Sequence, residues 1–177
     1  MKGSLGARAH AGGPPGVMEA GGGTSRPRVS FRHATRDDLD AIVRLLADDP
    51  LGAARESYST PLLESYRAAF DVIRADANNE LVVACLGVDL VGVLQMTFIP
   101  HLTYKGGWRA QLEGVRVDTR VRGRGIGRAL LEWAIARARE RGCHLVQLTT
   151  DKARPEAKTF YESLGFAATH EGMKLHL

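Results

Sequence analysis

Residues 111–150 constrain the fold more than any other part of the chain. An apolar strand pattern over 111–118 leads into a turn rich in glycine and arginine, and helical periodicity follows up to Gly142. A second strand is predicted over 144–150. The apolar face of the helix consists of Ile126, Leu130, Leu131, Ala134, Ile135 and Ala138. A strand, helix and strand in this order need a crossover connection, which joins parallel strands.

The remaining segments predict antiparallel strands and three more helices. Thr35 and Asp38 form a capping pattern before the first of these helices, and Pro61 lies at the first position of the second. Helices are predicted over 39–48, 61–76 and 155–164, and strands over 29–32, 81–86, 90–98, 166–169 and 173–176. We therefore expect an α/β fold with a mixed, mostly antiparallel sheet of about seven strands, flanked by about four helices.

Composition narrows the class of protein. The chain has 177 residues, of which 44% are hydrophobic and 25% charged, as in soluble globular proteins. No segment approaches the roughly 18 apolar residues of a membrane span, so we expect a cytoplasmic protein with no membrane partner. Two cysteines, Cys85 and Cys143, are too few for a thiolate zinc site, and the histidines form no ligand cluster, so no metal is expected. The net charge of +4 permits an anionic ligand without requiring nucleic acid.

The first 27 residues differ from the rest. They are rich in glycine and proline and have no apolar periodicity, so they cannot bury enough surface to offset the entropy of ordering. They also lack the apolar stretch of about 7–15 residues that a secretory signal needs. We expect residues 1–27 to be a flexible tail and residues 28–177 to form one domain.

The turn before the long helix predicts an anion site. It reads Arg122, Gly123, Arg124, Gly125, Ile126, Gly127, Arg128. Amides at a helix start have no internal acceptors, and glycines allow a phosphate to approach closely. A P-loop is excluded because no lysine followed by serine or threonine closes the turn, and the glycine spacing does not fit G-x-G-x-x-G. The alternative, a turn with merely solvated arginines, is less favoured between a strand and a helix.

Two motifs resemble those of one family. Arg122 to Gly127 resembles the R/Q-x-x-G-x-G/A turn of the GNAT superfamily of acetyl-CoA-dependent N-acetyltransferases. Phe160-Tyr161-Glu162-Ser163-Leu164-Gly165-Phe166 resembles that family's second signature, a tyrosine-bearing helix followed by a glycine-phenylalanine step. The order of the predicted elements matches the family from about Val29 onward. The resemblance implies direct transfer of an acetyl group from acetyl-CoA to an amine.

The same resemblance implies a donor site. Main-chain amides of the turn would bind the coenzyme A pyrophosphate, and the pantetheine arm would lie along the preceding strand, with an amide at or beside Val117 polarising the thioester. The implied donor-binding residues are Val115, Arg116, Val117, Arg122, Gly123, Arg124, Gly125, Ile126, Gly127, Arg128, Arg154 and Tyr161. Arg154 stands where family members often carry asparagine, so we expect it to meet a coenzyme phosphate or an acidic acceptor instead.

Tyr161 and Glu113 are the candidate catalytic residues. By resemblance Tyr161 would protonate the departing thiolate, since the pKa values of a phenol and a thiol are similar, although its spacing also suits a core aromatic. Glu113 would take a proton from the amine; strand alternation puts it on one face with Val115 and Val117 unless a bulge intervenes. A solvated glutamate is the alternative. Leu112-Glu113-Gly114 is weakly similar to a segment of some aminoglycoside acetyltransferases.

The acceptor side is less defined. By analogy with the family, residues 55–66 and the loop carrying His101, Tyr104 and Trp108 would form its wall. We expect a small-molecule amine, and a homodimer is common in the family. Two rival functions stay open: a non-catalytic acyl-CoA-binding module, and a nucleic-acid-binding protein. The second expects exposed aromatics along a basic groove, whereas aromatics are only 6% of the chain.

Overall fold

The computed structural model describes residues 29–48, 50–53 and 55–177. The predicted tail, residues 1–27, lies outside this range. The strands are β1 (Val29–His33), β2 (Asn79–Leu86), β3 (Asp89–Pro100), β4 (Trp108–Val117) and β5 (Cys143–Leu148). The helices are α1 (Leu39–Ala47), α2 (Pro50–Ala53), α3 (Glu64–Ala75), α4 (Thr103–Gly106), α5 (Ile126–Glu140) and α6 (Pro155–Glu162). The single turns α2 and α4 were not predicted, and the other four helices were.

The strands form one mixed sheet in the order β1-β2-β3-β4-β5. The β1–β2, β2–β3 and β3–β4 pairs are antiparallel, whereas β4 and β5 are parallel and are joined through α5. The predicted mixed, mostly antiparallel α/β sheet with its one crossover is therefore confirmed.

The prediction of about seven strands is wrong, because the described part of the chain contains five. No strand follows α6: the predicted strands over 166–169 and 173–176 pair with no neighbour. The alternating residues Met173, Leu175 and Leu177 are 94%, 87% and 116% exposed. Alternation shows only which residues share a face, and a strand also needs a partner for its backbone groups.

The sequence predicted the start of α1 correctly but placed the start of α3 too early. The cap at Thr35 is present, because the Asp38 carboxylate accepts from the Thr35 amide at 2.7 Å and from its hydroxyl at 2.8 Å. A 3₁₀ turn over Arg36–Asp38 then leads into α1. The second helix starts at Glu64, three residues later than Pro61 predicts. Proline is compatible with a first helical position but does not require one.

Two apolar clusters cover the two faces of the sheet. The larger packs β2, β3 and β4 against α5, around residues such as Leu94, Leu112 and Leu130. The smaller packs Val83 and Val93 beneath α1. Since α5 and α1 lie on opposite faces, alternate residues of β3 and β4 belong to different surroundings. This division decides which strand residues can reach the candidate site.

A buried ion pair ties α5 to β2. Glu80 is only 6% exposed, and its carboxylate accepts from Arg137 Nη2 at 2.7 Å and lies 3.6 Å from His33 Nε2. Burial raises the pKa of Glu80, but the interactions with His33 and Arg137 outweigh it and bring the pKa to about 2, from an ordinary 4.5. The ionised pair is therefore part of the folded state at neutral pH.

Arg137→Met is expected to lower the free energy of unfolding at pH 7 by about 3 kcal/mol, because it removes the guanidinium that hydrogen-bonds a buried carboxylate. Since the pKa of Glu80 is lowered by folding, its stabilising effect is complete above pH 4.5 and is lost as the pH falls towards 2. Urea unfolding at several pH values measures both effects. Lys152→Met, which removes an exposed pair with Glu171, should cost less than about 1 kcal/mol. Equal losses in the two variants would contradict the prediction.

Candidate functional site

A bulge in β4 creates an open edge in the sheet. Glu113 pairs with Gln95 and Arg116 with Val93, so three steps along β4 face two along β3. Gly114 lies in this step with φ +60°, a conformation that favours glycine. The parallel pairing of β4 with β5 ends at Leu112 and Leu148. Residues 113–117 therefore have no pairing with β5, and the two strands part at this point.

Two arginine side chains donate hydrogen bonds to carbonyl groups along this edge. The guanidinium of Arg116 donates to the carbonyl of Val115 at 2.8 Å, and Nε of Arg122 donates to the carbonyl of Val117 at 3.2 Å. Both cations are thus held beside the opening between β4 and β5. Arg116 and Arg122 are two of the predicted donor-binding residues, and the structure brings them together.

The turn between β4 and α5 is held by Asp118. Its carboxylate, 5% exposed, accepts from the amide and guanidinium of Arg120, and chiefly that hydrogen bond lowers the pKa of Asp118. Gly123 and Gly125 follow with φ +78° and +81°, and a Cβ at either position would meet nothing within 4 Å. The sequence prediction assigned no role to Asp118, although an aspartate after a strand is a common turn signal.

The amides at the start of α5 point into this open space. The first backbone bond of the helix runs from the Ala129 amide to the Gly125 carbonyl at 3.0 Å. The three preceding amides, those of Ile126, Gly127 and Arg128, consequently have no helical acceptor. Together with the positive end of the helix dipole they suit a phosphate group. The predicted position of the turn, between a strand and the start of a helix, is confirmed.

Helix α6 packs against the same turn. A Cβ on Gly127 would lie 3.6 Å from both Phe160 and Val117, and Arg128 donates to the Ser163 hydroxyl at 2.8 Å. The α6 motif and the turn motif, separated in sequence, are therefore adjacent in space. The open β4 edge, the start of α5 and one face of α6 are therefore neighbours and together make up the candidate site.

Tyr161 is both a core aromatic and a neighbour of the site. Its ring packs against Phe160 at 5.4 Å and Phe166 at 6.0 Å between centroids. Burial raises the pKa of the hydroxyl, and the nearby cations Arg116 and Arg154 oppose that shift. Within the described part of the chain, its hydroxyl has no hydrogen-bond partner. Tyr161 therefore stays protonated at neutral pH with its hydroxyl available.

Arg154 precedes α6 without capping it through its side chain. Its carbonyl accepts from the amide of Ala157 at 3.2 Å, and its side chain makes no cap hydrogen bond. The positive charge of Arg154 opposes the rise in the pKa of Tyr161. Arg154 thus lies on the α6 side of the site and contributes positive charge there.

Glu113 lies on the opposite face from the one that strict alternation gives. The bulge at Gly114 places Glu113 with Arg116 on the α1 side, whereas Val115 and Val117 pack into the α5 cluster. The exposed Glu113 is still next to the point where β4 leaves β5. The sequence alone predicts the alternation of β4 but not the extra residue of the bulge. Gly114 can be recognised as part of a bulge only when the pairing of β4 with β3 is known.

The predicted aromatic wall is not at this opening. Tyr104 stacks on His144 at 4.7 Å and His101 lies 6.4 Å from His144, all at the beginning of β4 and β5. Trp108 packs against the α5 cluster. At about 3.3 Å per residue, six residues of β4 place Trp108 about 20 Å from Gly114. Residues 55–66 are instead attached to α1, through Tyr58 and Asp40 at 3.1 Å.

The sequence reasoning missed a row of polar side chains on the α1 face of the sheet. We call Asn79, Gln95, Thr97, Arg109, Gln111 and Gln147 the polar strip. Gln95 and Thr97 both donate to the Asn79 side chain, at 3.0 and 2.8 Å. Polar residues at alternate positions of β3 and β4 were the available signal.

Neither a metal cluster nor a spanning helix is found in the described ranges. No group of three or more histidine, cysteine, aspartate or glutamate residues there could hold a metal ion. No helix in that part of the chain is both long and apolar enough to cross a membrane.

Comparison with known proteins identifies the family. Residues 39–166 match the model of the acetyltransferase (GNAT) family. Aminoalkylphosphonate N-acetyltransferase of Salmonella typhimurium is 28% identical over 144 residues, which are 81% of this chain and 88% of that relative. Glucosamine 6-phosphate N-acetyltransferase of Trypanosoma brucei brucei is 36% identical over 89 residues, 50% of this chain and 58% of that relative.

A solved structure agrees with the same fold. The crystal structure of a transcriptional regulator from Bacillus halodurans C-125 superposes with a TM-score of 0.83 and 59% identity, covering 84% of this chain and 99% of that one. The family match spans both motifs, the β4 bulge and the crossover through α5. The chain belongs to the GNAT family of acetyltransferases.

Proposed function

We propose that this protein is an acetyl-CoA-dependent N-acetyltransferase whose acceptor is a small-molecule amine. The observation that carries the proposal is the open edge of β4 at residues 113–117, which runs directly into the unbonded amides at the start of α5. An extended ligand with a diphosphate at one end suits such an edge, because it can add to the sheet and place its phosphates on the helix start.

The proposed donor site divides between backbone and side chains. The amides of 122–128 would hold the pyrophosphate, with Gly123 and Gly125 leaving the necessary space. The pantetheine arm would run along Val115, Arg116 and Val117, and an amide at or beside Val117 would polarise the thioester carbonyl. Arg154, on the α6 side, adds positive charge for a phosphate or for an acidic acceptor.

The proposed chemistry is a direct transfer. Acetyl-CoA supplies an acetyl group activated as a thioester; the carbon–nitrogen bond forms as the carbon–sulfur bond breaks. Glu113 takes the proton that the ammonium must lose before it can attack, since the ordinary pKa of an alkylamine is about 10. Tyr161 gives its proton to the departing thiolate. Its hydroxyl is kept protonated because burial raises its pKa.

The names of the relatives suggest where the acceptor panel should begin. The Salmonella relative is named for aminoalkylphosphonates and the trypanosome relative for glucosamine 6-phosphate, both small amines. We propose the same general class here, a small amine, and the panel should include phosphorylated and unphosphorylated members.

Calorimetric titration with acetyl-CoA, repeated with the 3′-dephospho analogue, is the first test. Micromolar, saturable binding that weakens without the 3′-phosphate supports the donor site, and thiol release with an amine supports the transferase. Binding without turnover of any amine would favour a non-catalytic acyl-CoA-binding module. Because one similar structure is described as a transcriptional regulator, duplex DNA should be tested as well. DNA binding that survives excess coenzyme A, with no acetyl-CoA binding, would overturn the proposal.

Glu113→Gln is expected to lower kcat/KM for the amine about tenfold at pH 7, because the variant cannot accept the proton. The loss should shrink as the pH rises and more of the amine is already neutral. Steady-state thiol release from pH 6 to 9 measures this. The matched control is Glu140→Gln at the far end of α5, which should leave the pH profile unchanged. If Glu113→Gln also leaves the rate and its pH dependence unaltered, Glu113 is not the base.

A further inference from the structure

The polar strip contains one cation without a counter-ion. Arg109 is half-buried, and within the described ranges no carboxylate lies within ion-pair distance of it. Its Nε atom is buried and has no hydrogen-bond partner there, and the same is true of Nε2 of the neighbouring His101. A buried polar atom without a hydrogen-bond partner costs free energy. An anion beside Arg109 would supply a hydrogen-bond acceptor for its guanidinium.

The guanidinium is held in position by the strip. Arg109 Nη1 donates to the side chain of Gln147 at 3.3 Å, and Gln147 donates to Gln111 at 2.6 Å. Burial, the charge of Arg109 and the charge of His144 lower the pKa of His101, so this ring is neutral at pH 7. Arg109 supplies the charge, and His101 adds a neutral hydrogen-bonding group beside it. A guanidinium fixed in this way can bind a phosphate or carboxylate through two hydrogen bonds.

Arg109 and Glu113 share one face of β4. Both are an even number of residues from Gln111, and both precede the bulge at Gly114. Four residues of strand separate their Cα atoms by about 13 Å. The Arg109 side chain leans along the strand towards Glu113, because its guanidinium reaches Gln147, which pairs with Gln111 and not with Arg109. A cation-binding and an anion-binding group thus lie at the two ends of one short polar strip.

We propose that the acceptor is a small zwitterion, with an amine at Glu113 and an oxyanion, a phosphoryl or carboxylate group, at Arg109. The inference rests on the proposed N-acetyltransferase function and names the acceptor class and the residue that selects it. Arg109 is a specificity-determining residue that touches the acceptor at the end remote from its amine. It takes no part in donor binding.

The experiment compares pairs of amines that differ only in the anion, such as glucosamine 6-phosphate with glucosamine, and 3-aminopropylphosphonate or 4-aminobutyrate with propylamine. Each pair is tested with the wild type, Arg109→Gln and Arg109→Lys. The charge-matched control is Arg139→Gln on α5, on the other face of the sheet. Thiol release gives kcat/KM, and calorimetry with protein saturated with coenzyme A gives acceptor affinity even where turnover is slow.

For at least one pair we expect the anionic member to bind more tightly to the wild type. Arg109→Gln should lower kcat/KM and affinity for the anionic amine about 30-fold, and should change both by less than about threefold for the neutral amine. Arg109→Lys should recover part of the loss, and Arg139→Gln should have no effect. Since the neutral amine and acetyl-CoA affinity report folding, a misfolded variant would be recognised. Phosphoryl and carboxylate pairs separate the two oxyanions.

Two results would overturn the inference while leaving the transferase intact. One is wild-type protein that acetylates amines but binds anionic and neutral members equally. The other is Arg109→Gln losing both members of a pair to the same extent, or neither. Failure of the proposed function gives a different pattern, in which acetyl-CoA neither binds nor releases thiol with any amine.

Discussion

Gly125→Val is expected to weaken acetyl-CoA binding at least about 100-fold. Gly125 immediately precedes α5 with φ +81°, and a Cβ there would enter the open space beside the amides of 126–128. Two branching methyl groups would fill the volume proposed for the pyrophosphate, and the backbone would also shift from a conformation that valine disfavours. Calorimetric titration with acetyl-CoA measures the effect.

The control for backbone strain lies on the same helix. Gly142, which follows α5, has φ +72° and equally open surroundings, but it is at the opposite end from the turn. Gly142→Val should cost about as much stability as Gly125→Val, roughly 1–2 kcal/mol each, and should leave acetyl-CoA affinity unchanged. Gly127→Ala, whose added Cβ would make ordinary contacts with Phe160 and Val117, should change affinity less than about threefold. Equal loss of affinity in the two valine variants would show that the turn binds no phosphate.

The strand–turn–helix–strand segment could be predicted from sequence because each part has its own local signal. The apolar stripe that includes Leu130 and Leu131 has helical periodicity, and Gly142 ends the helix, so the crossover follows without tertiary information. The parallel β4–β5 pair and the position of the turn at the helix start follow from the crossover. Local pattern and global fold agree here, as they do in foldable sequences.

The parts that sequence did not predict depend on pairing. Whether residues 166–177 form strands depends on a partner, and no neighbouring strand takes up the alternation of Met173, Leu175 and Leu177 in the described structure. The bulge at Gly114 is visible only in the register against β3, and it moves Glu113 to the other face. The polar strip was missed for a related reason, because Arg109 and Gln147 come together only when β4 and β5 pair. Contacts between distant segments decide these features, and periodicity does not report them.

Tyr161→Phe is expected to slow turnover about 100-fold with little change in acetyl-CoA affinity. The ring keeps its packing against Phe160 and Phe166, so the variant removes only the hydroxyl. A positioned general acid contributes about 10²–10⁴ in rate, and a thiolate with an ordinary pKa of about 8.5 is a leaving group that gains from protonation. Single-turnover thiol release isolates this step from product dissociation. Tyr104→Phe, at the other end of β4, is the matched control and should be unchanged.

The pH dependence distinguishes an acid from a packing residue. Burial raises the pKa of Tyr161 above its ordinary value of 10, while Arg116 and Arg154 oppose the shift. The hydroxyl is therefore protonated throughout pH 6–9. We expect that Tyr161 causes no fall in the wild-type rate over that range, so the shape of the pH profile should be the same in Tyr161→Phe. The variant should instead slow the reaction by a constant factor across the range, and less for an acyl donor whose thiol has a lower pKa and leaves without help. If Tyr161→Phe retains wild-type turnover, or if its loss is the same for every leaving thiol, Tyr161 acts through packing and does not donate the proton.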